Sequence, residues 1–244
     1  MTVPQFQTLH VELHDRLGRL QLNDPDHLNP IGSVALSELA DAARWFDDQG
    51  ASIVVVSGAG RAFSAGFDLR ELRSPGEGAR HTPALGAAMA DAISGMAAVT
   101  IASIQGPCVG GGFVLALCCD LRVASDDAWF SLPEAELGIP LAWGGVPRLV
   151  REIGPAPTID LVLTCRRVAV AEALAMGFLN QVVPASEREE VVEGLVAILL
   201  ARDPHVVADT KRQVQAAADA LVPTDGDWAG TDLLVEALRR QTGG

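Results

Sequence analysis

The chain has 244 residues, 49% of them apolar, and a formal net charge of −13 at pH 7. That size and composition suit one domain with a sizeable core, or one domain with a helical appendage. The acidic balance argues against a general nucleic-acid surface, which needs clustered Lys and Arg to displace counterions, and with neither a basic-then-apolar stretch at Met1 nor an apolar run of about eighteen residues, no secretion signal and no membrane span are expected.

A cytoplasmic protein is therefore expected. The elements begin with alternating apolar positions from Leu9 to Leu22 around Asp15, Arg16 and Gly18, the pattern of a hairpin. Ser33 to Gln49 places Leu36, Leu39, Ala43 and Phe46 on one helical face, with Ser33 as a candidate cap and Gly50 as a stop. A strand Ile53 to Val56 follows at once. Arg73 to Thr82 carries Ser, Pro, charges and glycines and is predicted to be a mobile loop. A second round then runs through a helix around Pro83 to Ala97, a strand Thr100 to Ile104, a glycine turn, a helix Gly111 to Cys119 and a strand Leu121 to Ala124.

Strands separated by helices, with continuous apolar runs such as Ile-Val-Val-Val, indicate parallel pairing with both faces covered, hence an α/β core. From Val146 the pattern is mainly helical: Val146 to Ile153, Pro157 to Leu163, Ala171 to Met176, Ser186 to Ala201, Asp203 to Ala220 and Trp228 to Arg240. Gly177 to Val183 reads as a short strand or turn. Cys108, Cys118, Cys119 and Cys165 lack metal-like spacing, and the adjacent pair would face different sides of a helix. They are expected to be small core residues.

Two places run a buried apolar segment straight into glycine. In Ala65-Gly66-Phe67-Asp68 the glycine lets the backbone turn so that the Phe67 N–H points outward, although the fragment reads equally well as a helix start capped by Asp68. Gly110-Gly111-Gly112 costs entropy on folding, which suits a site of close approach or tight helix-to-strand packing. No Gly-Lys-Ser/Thr ending follows, so a nucleoside-triphosphate loop is not indicated. Two such turns converging on one carbonyl oxygen would form an oxyanion hole.

Together these segments resemble the crotonase superfamily, the enoyl-CoA hydratase/isomerase family. The resemblance spans about Leu20 to Val183 and rests on LNDPDHLNPI, GAGRAFSAGFDLREL, IQGPCVGGGFVLALCCDLRVAS, SLPEAELGI and AEALAMGFLNQVV in that order. It implies a spiral of β-β-α units over residues 1–183 and a C-terminal helical region over 184–244 that serves trimerisation or acts as a lid. It further implies an acyl-CoA thioester as ligand, no separate cofactor, no metal, and a trimer or dimer of trimers.

By motif, the thioester oxygen would lie between the Phe67 and Gly111 N–H groups, donors typically worth about 3 to 4 kcal/mol each when one is removed. Leu28 and Ala65 would contact the adenine end of CoA. Gly66, Asp68, Gly110, Val114 and Trp143 would complete the substrate site, with Trp143 lining the acyl pocket. Basic residues His27, Arg61, Arg70 and Arg73 could face phosphates or be ordinary surface charges, and Asp68 and Asp120 are also read as structural.

Hydratases of this family use two glutamates, because water must be held and deprotonated while a proton is delivered to carbon. Here the first position is Val114 and the second is Glu134. Valine can neither ionise nor hold water, whereas one glutamate suffices to move a proton from C2 to C4 of a 3-enoyl-CoA. The chain is therefore most similar in pattern to the family's Δ3-Δ2-enoyl-CoA isomerases, with Glu134 as acid/base and Glu136 as a second candidate. The competing readings are a hydratase or other chemistry on the same fold, and an acyl-CoA binder without catalysis. Dehalogenation is rejected, because Glu134 and Ala142 stand where those enzymes carry Trp and the nucleophilic Asp. The glycine-aromatic-basic ending usual in the family is missing after LLVEALRRQTGG, so a more open CoA site is expected.

Overall fold

The computed structural model describes residues 3–68, 70–71, 77–224 and 230–242. The elements run β1 (Leu9–His14), β2 (Leu17–Leu22), α1 (Ser33–Asp48), β3 (Ile53–Gly58), α2 (Glu77–Gly95), β4 (Val99–Ile104), β5 (Pro107–Val109) and α3 (Gly111–Leu117). They continue with β6 (Leu121–Ser125), β7 (Trp129–Ser131), α4 (Gly145–Ile153), α5 (Pro155–Thr164), β8 (Val168–Ala169), α6 (Val170–Ala175), β9 (Gln181–Val183), α7 (Arg188–Leu200), α8 (Pro204–Leu221) and α9 (Gly230–Thr242).

The expected hairpin forms, and its second strand joins a largely parallel sheet of order β1-β2-β3-β4-β6-β9. Both faces of that sheet are buried, which explains the uninterrupted apolar run in β3. Val54 and Val56 enter the core under α1 and α2, while Ile53 and Val55 face a second cluster with Val192 and Val196 of α7. A smaller sheet of order β5-β7-β8 lies beside it. Ser64 extends that sheet by a parallel bridge to Cys108.

This arrangement is the spiral. After β3 the chain crosses to the small sheet at Ser64 and then forms α2; after β4 it crosses to β5 and forms α3; after β6 it crosses to β7 and later forms α4. Each turn of the spiral thus contributes one position to each sheet and then a helix.

Several sequence expectations are corrected. The segment from Glu77 to Thr82, expected as part of a loop, is the start of α2; residues 73–76 of that loop lie outside the described residues. Pro83, which suggested a helix start, is instead interior to α2. Burial of Met89, Ala90 and Ile93 against the core outweighs the hydrogen bond that the proline cannot make. Ser33 does not cap α1: Gly32 is the N-cap and provides no side-chain bond, while the Glu71 carboxylate accepts from the Ser33 N–H at 2.9 and 3.1 Å. The glycine turn after β4 contains strand β5, and β7 and β8 were not foreseen, since runs of two or three residues carry no period. The predicted start of the last helix at Trp228 lies outside the described residues.

The four cysteines are buried thiols, as expected, and burial raises the thiols of Cys108, Cys118 and Cys119 away from reactivity. Among the described residues no helix is long and apolar enough to cross a membrane.

Candidate active site

Parallel strands put their C-terminal ends on one edge, and that edge of the small sheet gathers the site. Ser64 pairs with Cys108 and Val109 with Ser131, so the three segments leave the sheet side by side. The Val109 N–H donates to Ser64 O at 3.0 Å and the Gly110 N–H to Ser131 O at 2.9 Å. Residues 65–68, 110–111 and 132–134, far apart in sequence, therefore emerge together.

Gly66 has φ +93°, and a Cβ there would lie 2.6 Å from Val109 O and 3.5 Å from Gly111 N. A Cβ on Gly111 would lie 3.6 Å from Phe67 N. Glycine at Gly66 avoids a clash with Val109 O, and glycine at Gly111 avoids one with the Trp143 ring at 2.5 Å, so the two segments that carry the Phe67 and Gly111 amides can pack together. Neither N–H has an acceptor among the described residues: the neighbouring Gly66 O and Asp68 N–H bond Ile31, and Gly111 is the first residue of α3. Both residues line one pocket, which holds about 550 Å³ including its mouth.

Glu134 and Val114 line the same pocket. Glu134 Oε1 lies against Gly110, whose φ is +52° and where a Cβ would fall only 2.9 Å from that oxygen. The residue as a whole is half-buried, yet Oε2 is shut off from solvent and has no hydrogen-bond partner. Burial pushes the carboxyl up from 4.5 to about 7, opposed in smaller part by its own backbone N–H. It is not followed directly by a helix, since residues 133–138 form turns and α4 starts at Gly145. Glu136 is exposed and does not line the pocket.

Trp143 does line the pocket and meets Phe67 edge-on, with ring centroids 6.1 Å apart and planes at 72°. The rest of the wall is chiefly apolar: Pro83, Ile139, Pro140, Leu141 and, from α9, Leu234. Leu28, with φ +63°, accepts the Ala65 N–H at 2.8 Å, so the two residues singled out for the adenine end stand together. His27, Arg61 and Arg70 are exposed nearby in sequence. Arg70, however, is engaged by Asp68, which also accepts the Arg70 N–H; the guanidinium holds the Asp68 carboxyl below its usual range. Asp68 thus braces its own turn. Arg73 lies outside the described residues.

Three positioning residues escaped sequence reasoning. Asn29 is buried at φ +54° and its Nδ2 donates to the carbonyls of Ala59 and Ala62, both at 2.9 Å. The Ser64 hydroxyl donates to Asn29 O at 2.7 Å and accepts the Gly66 N–H at 3.1 Å. Gln105 reaches across from the end of β4 to Gly58 and Gly60 carbonyls. They hold the loop that carries Phe67; the available signal was a polar residue inside each otherwise ligand-like motif. Glu71 was also missed as a pocket-lining carboxylate, although Ser33 occupies it.

Comparison with known proteins gives the same picture. The family model described as "Enoyl-CoA hydratase/isomerase" matches residues 12–233. The chain is 36% identical over 183 residues to a probable enoyl-CoA hydratase of Mycobacterium bovis, covering 75% of this chain and 71% of that protein. It is 30% identical over 250 aligned positions to a peroxisomal Δ(3,5)-Δ(2,4)-dienoyl-CoA isomerase of Arabidopsis thaliana, covering 95% and 90%. A crystal structure of an enoyl-CoA hydratase/isomerase from Xanthobacter autotrophicus Py2 superposes with a TM-score of 0.88 at 27% identity, covering 96% of this chain and 88% of the other. With the spiral, the paired amides and the matched motifs in agreement, the chain belongs to the enoyl-CoA hydratase/isomerase family of the crotonase superfamily.

Proposed function

We propose that this protein is an acyl-CoA enzyme that moves the double bond of a 3-enoyl-CoA to the 2-position. The observation that carries the reading is the enclosed Glu134 carboxylate beside two unpartnered amides, with Val114 rather than an acid on the opposing helix and with Glu71, the other carboxylate lining the pocket, taken by Ser33. The Phe67 and Gly111 N–H groups hold the thioester oxygen and stabilise the charge that develops on it as C2 loses its proton. Glu134 takes that proton and returns it to C4, and a carboxyl near 7 is poised for both steps. Phe67, Trp143 and Leu141 keep water from the dienolate.

The CoA moiety is proposed to lie along Leu28 and Ala65, which are joined by a backbone hydrogen bond, with the exposed His27 and Arg61 close to them in sequence. Residues 184–244 are proposed to serve assembly and closure: Leu234 of α9 reaches the pocket wall, and Ile198, Val206, Val214 and Leu221 expose apolar surface on α7 and α8.

Hydration is the second reading, favoured by the hydratase name of the Mycobacterium relative. It would have to hold water without an acid at position 114, since Glu71 is taken by Ser33. Incubation with 3-enoyl-CoA should raise the absorbance of the conjugated enoyl thioester. Rapid hydration of crotonyl-CoA with 3-enoyl-CoA left unchanged would refute the isomerase reading.

A further inference from the structure

The face of the large sheet that looks toward α7 is apolar at one end and polar at the other. Strand register lines up His10, Gln21, Ser57 and Ser103, one from each of β1 to β4, as a polar rung on that face. The next rung brings Val55 and Ile101 into the apolar cluster beneath α7. The helix covers that apolar part and leaves the polar rung as the floor of a cleft, with Arg188, Glu189 and Glu193 of α7 on the opposite wall. The cleft holds about 1040 Å³ including its mouth, room for a ligand of several carbons, and shares no residue with the pocket of Glu134.

Two of its cationic side chains are already engaged: Arg19 Nη2 meets Glu193 at 2.7 Å, and His10 bonds Glu12 at 2.9 Å. Glu189 is exposed and stays hydrated. Arg188 has neither remedy. Its Nε is shut off from solvent without a partner, and its terminal nitrogens, which solvent still reaches, make no hydrogen bond or ion pair among the described residues. Burial works against the guanidinium charge, and Asp127 and Glu189 support it only from beyond ion-pair distance. Ser103 lines the same cleft and is only 7% exposed, and neither its hydroxyl nor that of Ser57 beside it makes a hydrogen bond among the described residues. Buried polar groups are ordinarily partnered. Packing did not call for these, since Val55 and Ile101 fill the adjoining rung of the same two strands with hydrocarbon. A desolvated cation and paired hydroxyls in one cleft are donors that converge without an acceptor.

We infer that this cleft is a second binding site, for a small oxyanion that also carries hydroxyl groups: a phosphorylated or carboxylated polyol. The anionic oxygens take the terminal nitrogens of Arg188, and the hydroxyls meet Ser57, Ser103 and the Gln21 amide. The site stands apart from the acyl-CoA reading of the Glu134 pocket and does not depend on it.

Four probes separate the charge from the hydroxyls. Glycerol 3-phosphate, glycerate, glycerol and inorganic phosphate are titrated calorimetrically at one ionic strength into the wild type, Arg188→Gln and Ser103→Ala. At least one of the two hydroxylated anions should bind the wild type roughly tenfold or more tightly than glycerol or inorganic phosphate, and the tighter of the two tells whether phosphate or carboxylate is preferred. Arg188→Gln should weaken that binding roughly tenfold or more, the size of one charge-assisted hydrogen bond, and Ser103→Ala about threefold or more. In the wild type, the backbone amide resonances of Ser57 and Ser103 should move with the bound probe while those of Phe67 and Gly111 stay, a readout that stands even if a variant does not fold. Inorganic phosphate binding as tightly as the hydroxylated anions, movement at Phe67 and Gly111 instead, or no binding of any probe would each overturn the inference, and all three leave the acyl-CoA reading intact.

Discussion

Glu134 holds a carboxylate where solvent cannot reach one oxygen and no donor meets it, and two consequences follow from that placement. Catalysis by removal of a C2 proton needs the ionised form, so kcat/KM should climb with pH and level off above about 7, the value to which burial lifts the group. Glu134→Gln should lower kcat by about 10³, within the usual contribution of a general acid/base, in the same absorbance assay. Stability should move the other way. The folded chain keeps this proton more tightly than the unfolded chain between about 4.5 and 7, so the group destabilises the fold as pH rises through that interval. Melting curves should therefore show Glu134→Gln above wild type at pH 8 and level with it near pH 4. Gly66 answers to sterics: with φ +93° and Val109 O 2.6 Å from a would-be Cβ, Gly66→Ala should cost about 1 to 3 kcal/mol in denaturant titration. The same change should depress kcat, because the Phe67 amide moves.

At the scale of elements, helix ends are satisfied by distant side chains more than by local ones. The first turn of α1 is met by Glu71, more than thirty residues away, which is why Ser33 looked like a cap in the sequence and is not one. In α8 the local rule holds, since Asp203 accepts the His205 and Val206 N–H groups. That helix is tied to the large sheet by Lys211, whose Nζ donates to Asp120 at 2.7 Å and to Ala98 O at 2.8 Å, while Asp120 also accepts from Thr100. Both ends are largely buried. Lys211→Met should cost about 2 kcal/mol, a discount on the full penalty for a buried partnerless charge because Asp120 keeps some solvent contact. A double variant with Asp120→Asn should recover part of that loss; if it adds further cost instead, the pair is not the clamp. Asp120 had been read as structural, and its bonds bear that out.

For the whole molecule, a chain of charge −13 exposes Ile159, Leu163, Ile198, Val206, Val214 and Leu221 on α5, α7 and α8. Single exposed apolar side chains are ordinary, but a set concentrated on the later helices suits an interface between copies. A trimer should appear as three chain masses by light scattering and a dimer of trimers as six, and Ile198→Glu with Val206→Glu should shift either toward monomer. A wild-type monomer at micromolar concentration would refute the assembly.

The sequence by itself determined the hairpin, the parallel α/β core, the buried cysteines and the family, because apolar periodicity and ordered glycine motifs are local properties of the chain. It also named Phe67, Gly111 and Glu134 as the residues to watch. Only the tertiary structure decided that Ser64, Val109 and Ser131 end side by side, that Glu71 serves Ser33, that Glu136 points away while Glu134 does not, and that Trp143 is wedged between two helices. Those outcomes depend on which segments become neighbours, and contacts across dozens of residues leave no period, spacing or composition for a linear reading to detect.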